Sequence, residues 1–139
     1  MSGLLFTPVN AEGVVASLNL PQPAYRVLFT LRSHSESGGR VEMSQAQMAA
    51  RLRLSRPSVT SSLRELILAR LVKKERNGVY RINPMLAGYQ QLAEVVTAVE
   101  EMDPADRLDD PHFVARYHQA IEDYREQLAR NRRKKLRVA

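Results

Sequence analysis

Apolar residues recur along this chain with two periods, and the switch between them marks its organisation. Ala24, Tyr25, Leu28, Phe29 and Leu31 fall at helical spacing and predict a helix over 21–33 with a broad apolar face. Ser44 then stands as an N-cap before Met48, Ala49 and Leu52, again at helical spacing. A second cap, Ser55, follows after a short break, and Pro57 occupies a first turn where its missing N–H costs little. Val59, Leu63, Leu66 and Ile67 form the stripe of that helix, which ends near Arg70. From Val72 the period drops to two. Val72 and the stems of Lys73 and Lys74 make one arm of a hairpin, and Val79, Tyr80 and Ile82 make the other. Asn77-Gly78 lies between them and predicts a type I′ turn, because both residues tolerate positive φ.

The flanks read less sharply. Pro8, Gly13, Pro21 and Pro23 break residues 1–20, leaving Val14, Val15 and Leu18 for a short helical turn or two. "SHSESGGR" is a loop, and Arg40-Val41-Glu42 is a short, lone strand. Asn83-Pro84 stops the second hairpin strand and starts a helix expected from Met85 to Met102. Leu92, Val95, Val96, Val99 and Met102 line one face of it. After the loop "DPADRLDDP", Asp110 caps a last helix from Pro111 to about Lys134, with Phe113, Tyr117, Ala120, Ile121, Tyr124 and Leu128 on one side. The final ten residues, "RNRRKKLRVA", are low in complexity and expected to fray.

Composition narrows the class. A chain of 139 residues suits one domain with an appended arm. The expected division is an arm over 1–20, a domain over 21–84, a helical dimerisation region over 85–129 and a basic tail over 130–139. Apolar content of 44% supports a core, and 6% aromatic content makes it aliphatic. The absence of cysteine excludes disulfides, thiolate metal sites and thiol nucleophiles, and fits a reducing cytosol. No apolar run reaches the length of a membrane span, and the start lacks a positive n-region. The expected location is the cytoplasm, at the nucleoid.

Charge is distributed in blocks. Residues 40–85 carry ten cations against three acids, residues 86–129 three against ten, and residues 130–139 six cations and no acid. A basic patch confined to part of a domain is a footprint for a polyanion. Seventeen of the cations are arginine, whose planar fork suits phosphate and guanine.

In order, the middle of the chain reads helix, short strand, helix, tight turn, helix, strand, Asn-Gly turn, strand. The stretch "MSQAQMAARLRLSRPSVTSSLRELILARLVKKERNGVYRINP" resembles winged helix-turn-helix regulators of the MarR type over roughly residues 24–85. The resemblance implies a mainly α fold with a short two-stranded β-wing and flanking C-terminal helices. It implies a recognition helix over 55–69 in the major groove of double-stranded DNA, with the basic wing over 72–82 on the backbone or minor groove. The candidate contacts on that reading are Ser44 and Gln45 at the bracing helix, and Ser55, Arg56, Pro57, Ser58, Thr60, Ser61 and Arg64 on the recognition helix. Lys73, Lys74, Arg76, Asn77 and Arg81 join them from the wing. In the tail, Arg130, Arg132, Arg133, Lys134, Lys135 and Arg137 can act as a phosphate-binding arm or as a solvated helix end. Two departures from the family pattern stand out: Arg70 where a glycine often ends the recognition helix, and residues 1–20 too broken for a long first helix.

"NGVYRINPMLAGY" is similar to the wing of RepL-type plasmid replication proteins. Repression as a homodimer on a palindromic or repeated operator is the first expectation, and plasmid replication or maintenance on repeated sites the second. A winged-helix module for protein or RNA partners is a third. Catalysis has no foothold. His34, His112 and His118 lack metal-ligand spacing, no glycine-rich phosphate loop is present, and no metal or cofactor is expected.

Overall fold

A computed structural model describes residues 5–138. A 3-10 turn, Val9–Ala11, leads into α1 (Glu12–Ser17), followed by α2 (Gln22–Ser33), β1 (Arg40–Glu42), α3 (Gln45–Leu52) and α4 (Arg56–Leu68). The hairpin β2 (Val72–Arg76) and β3 (Val79–Ile82) comes next. The chain then runs through α5 (Leu92–Glu101), a 3-10 turn over Pro104–Asp106 and the long α6 (Phe113–Val138). The fold is mainly α, as expected, with one small antiparallel sheet.

The expected two-stranded wing is present, and a third strand joins its sheet. The strand Arg40–Glu42 is not alone. It pairs with β3, Val41 opposite Tyr80, and gives the order β1-β3-β2. The expectation failed because three residues cannot signal a partner forty positions away. The turn also differs from type I′. Positive φ is present at Gly78 (79°) but not at Asn77, and a bulge at Glu75 separates the Lys74–Tyr80 and Arg76–Val79 pairs. The bulge supplies the local twist that an I′ turn would otherwise supply.

Local chemistry explains each helix of the central unit. Ser44 and Gln47 form a capping box: the Ser44 hydroxyl accepts the Gln47 N–H at 3.1 Å, and the Gln47 side chain accepts the Ser44 N–H at 2.8 Å. Ser55 caps α4 by accepting the Ser58 N–H, and Pro57 sits in the first turn. The C-terminus of α4 closes without glycine. Arg70 takes the left-handed conformation at φ 59°, its N–H reaches the Ile67 carbonyl, and the Leu71 N–H reaches the Leu66 carbonyl. This is a Schellman closure, with Leu66 and Leu71 both buried beneath it.

The core is aliphatic and continuous. Val27, Leu28 and Leu31 of α2 pack with Val59 and Leu66 of α4, Met48 of α3 and Ile82 of β3. Ala11, Val15 and Leu18 from the first twenty residues belong to the same cluster.

The helix expected from Met85 begins instead at Leu92. Asn83 is the reason. Its side-chain oxygen accepts the Met85 N–H, its amide donates to the Arg70 and Asp106 carbonyls, and the chain turns tightly there. Gly88 and a backbone bridge between Phe6 and Tyr89 then keep the segment extended. Only part of the expected apolar face of α5 is covered. Val95 is buried and Val99 and Met102 pack on the core, while Leu92 and Val96 stay exposed. The last helix starts at Phe113, because Asp110 accepts the His112 N–H in a turn first. It continues through the basic tail to Val138, so the fraying expected there is replaced by helix.

Candidate nucleic-acid interface

The capped start of α3, the outward face of α4 and the hairpin come together on one side of the molecule. A groove of about 320 Å³ is bounded by Gln45, Thr60, Arg64, Lys74, Tyr80 and Tyr124. On α4, Val59, Ser62, Leu63 and Leu66 are buried. With 3.6 residues per turn, Pro57, Thr60, Ser61, Arg64 and Leu68 then share the opposite side. Arg56, Pro57, Thr60 and Ser61 are exposed and Ser58 is half-buried. Lys74 from the wing reaches the same groove as Thr60 and Arg64, so ribbon and helix project together.

Several candidate contacts are engaged within the chain. The Thr60 hydroxyl donates to Gln45 Oε1 at 2.8 Å, tying α4 to the first turn of α3. Arg81 Nε donates to Glu75 at 2.6 Å, and that hydrogen bond holds the Glu75 carboxyl below its ordinary range. Lys73 turns away from the groove and donates to Asp106 at 2.7 Å. Arg70 Nε meets the other oxygen of the same carboxylate at 2.6 Å. Burial pushes the Asp106 carboxyl up, but the hydrogen bonds from Lys73 and Arg70 outweigh it and the net shift is down. Part of the acidic block therefore faces the base of the wing.

Arg64 pairs with no acid. Its guanidinium stacks on the Tyr124 ring, 5.0 Å from the centroid, and its Nη2 lies 3.4 Å from the Ser61 hydroxyl. Among the described residues no ion pair reaches Arg56, Lys74 or Arg76. Arg51 and Arg53 are equally unpaired, and both are exposed where α3 turns towards α4. Sequence reasoning passed over these two. The signal was the cation spacing Arg51, Arg53, Arg56 across the helix-turn-helix break. In α6 the side chains from Arg125 to Arg137 are all exposed, and within this span Arg130 pairs with Glu126 at 3.6 Å.

Among the described residues no cluster of His, Asp and Glu could hold a metal ion, and no helix is long and apolar enough to cross a membrane.

Three helices, α2 to α4, followed by a hairpin whose second strand pairs back to β1, define a winged helix-turn-helix. Residues 18–79 match the model of the MarR family. Over that segment, a little under half of the chain, the protein is similar to that family. No curated protein matches the chain. Among solved structures, the reduced (FeII) CO-sensing protein from R. rubrum is 17% identical, with a TM-score of 0.43 over 65% of this chain. The alignment spans 42% of that protein's length.

Proposed function

We propose that the chain is a sequence-specific, dimeric repressor of transcription that seats the N-terminal half of α4 in the major groove. The observation that carries this reading is the shared groove: Thr60 and Arg64 of α4 and Lys74 of the wing border it. Arg56 on α4 and Arg76 on the wing are exposed and unpaired. Small hydroxyls at Ser58, Thr60 and Ser61 let backbone and base edges approach closely. Arg56 and Arg64 have the fork that matches guanine O6 and N7. The capped N-terminus of α4 favours a phosphate. Arg51 and Arg53 suit the flanking backbone, and Lys74 and Arg76 the phosphates or minor groove beside it. The basic end of α6 supplies a further phosphate-binding arm. Leu92 and Val96, 67% and 51% exposed on α5, suit burial against a second copy. Such a dimer would hold two recognition helices for half-sites about one DNA turn apart.

Selection of bound duplexes from a random pool, followed by titration of the winning site, tests this. Arg64→Ala should relax preference at one base position, a loss of about 1–3 kcal/mol in discrimination. Arg76→Ala should weaken every sequence alike. Equal losses across sequences for both variants would remove α4 from the role of reader.

A further inference from the structure

The outward face of α4 is covered over its second half. Helix α6 crosses there: its Phe113 and Tyr117 join the core, and Ala120 and Tyr124 reach round to the outward side of α4. The Tyr117 hydroxyl donates to Glu65 Oε2 at 3.3 Å, Leu68 and Ala120 line one cleft, and Tyr124 stacks on Arg64. The first half of the same face, from Arg56 to Ser61, is open.

A helix with its side chains is about 10–12 Å across. The major groove is about 12 Å wide and admits one such helix. With α6 in place, α4 enters a groove only to about Ser61. Arg64, one turn further along, meets DNA only after Tyr124 leaves it. The two arrangements exclude each other at that residue.

We propose that Tyr124 controls base reading by Arg64: in the DNA-free chain it latches α6 across α4, and seating of the recognition helix displaces it. This rests on the DNA-binding reading above. Arg64 itself shows the latch to be shallow. Its Nε is buried with no hydrogen-bond partner. A guanidinium with an orphaned donor gains a partner when it swings onto a base or phosphate, so leaving Tyr124 recovers what stacking withheld. Little has to be undone, because α6 is exposed on every side beyond Tyr124. Once free, that cationic half of the helix is delivered to the same duplex.

The chain has no cysteine, so introduced ones are unique. Leu68→Cys with Ala120→Cys, joined by a reducible bis-maleimide tether, pins α6 to α4. The tethered chain should bind the selected duplex more than tenfold less tightly than the same protein after reductive cleavage. Its binding to unrelated duplex should be unchanged. In the untethered chain, Tyr124→Ala should tighten selected-site binding about three-fold, the equivalent of one exposed cation–π contact. Tyr124→Phe keeps the ring and should bind like wild type. Far-UV circular dichroism verifies that both variants keep their helix. Equal affinity of tethered and cleaved protein for the selected duplex overturns the latch and leaves the DNA reading intact. If no form prefers any duplex, the DNA reading itself falls and takes the latch with it.

Discussion

The Asp106 carboxylate is the deepest charge in the molecule, and replacing it gives a sharp test of how the wing is held. Its side chain is 5% exposed and accepts from Arg70 at 2.6 Å and Lys73 at 2.7 Å. Asp106→Asn keeps the shape and one acceptor but turns an amide donor towards two cations. Removing one partner of a buried ion pair costs about 3–5 kcal/mol when the survivor stays buried. Here the survivors are 42% and 60% exposed, so water replaces much of what they lose. The cost falls to about 2 kcal/mol, near that of one charge-assisted hydrogen bond. For a chain of this size the melting temperature should drop by about 7 °C. Urea melts followed by circular dichroism would show a lower midpoint with an unchanged slope. The pH dependence adds the sign. The folded carboxyl titrates below its ordinary value of 3.8, so its stabilisation is complete above that pH and is lost as pH falls through the folded value. Wild type and variant should differ fully at pH 7 and converge as the pH falls through the folded value. Glu75, Asp109 and Asp110 also titrate low, but they are common to both proteins and cancel in the difference. A gap that stays constant from neutral to acid pH would show that the pair is not what Asp106 contributes.

Arg70→Gly should relieve the left-handed backbone by about 1–2 kcal/mol but also remove a partner of Asp106. The net change in a urea melt should be small, whereas Arg70→Ala, which keeps the backbone strain and loses the ion pair, should be clearly less stable than Arg70→Gly. Salt titration of duplex binding should give a slope of log K on log salt of about −0.9 per phosphate engaged, so about −4 to −5 per copy if Arg51, Arg53, Arg56, Lys74 and Arg76 all reach the backbone. A slope near zero would remove the basic surface from the interface.

The central unit could be read in advance because its signals are local. Two serine caps, a first-turn proline and an Asn-Gly pair each act within four residues, and each marks an element that formed. The exposed positions of the candidates Thr60, Ser61 and Lys74 followed from those elements. What could not be read depended on contacts between distant segments. Asn83 looks like a strand stop beside Pro84, yet its N–H and side chain reach Leu71, Met85, Arg70 and Asp106 and hold back the next helix to Leu92. Arg70 looks like a poor helix terminator until Asp106, thirty-six residues on, supplies its partner. Arg64 reads as a free base-contacting cation, because nothing in its own helix reveals Tyr124 sixty residues later.

The pairings also change what the basic block is for. Ten cations over residues 40–85 suggest a uniformly positive surface, but the fold sorts them. Arg40 is held between Glu36 and Glu42, Arg70 and Lys73 by Asp106, and Arg81 by Glu75. These four support the hairpin and tie it to the loop before α6. Arg51, Arg53 and Arg56 remain unpaired around the helix-turn-helix break, and Lys74 and Arg76 along the first wing strand. On the proposed reading a polyanion would meet two basic edges, with Arg64 and the hydroxyls of α4 between them. Two such edges match a duplex better than a single positive sheet would, because phosphates line both sides of a groove. On this account the acids Glu75 and Asp106 do more than offset charge. By occupying Arg81 and Lys73, they keep cations from spreading positive potential beyond the two edges, and so favour one docking orientation over the others.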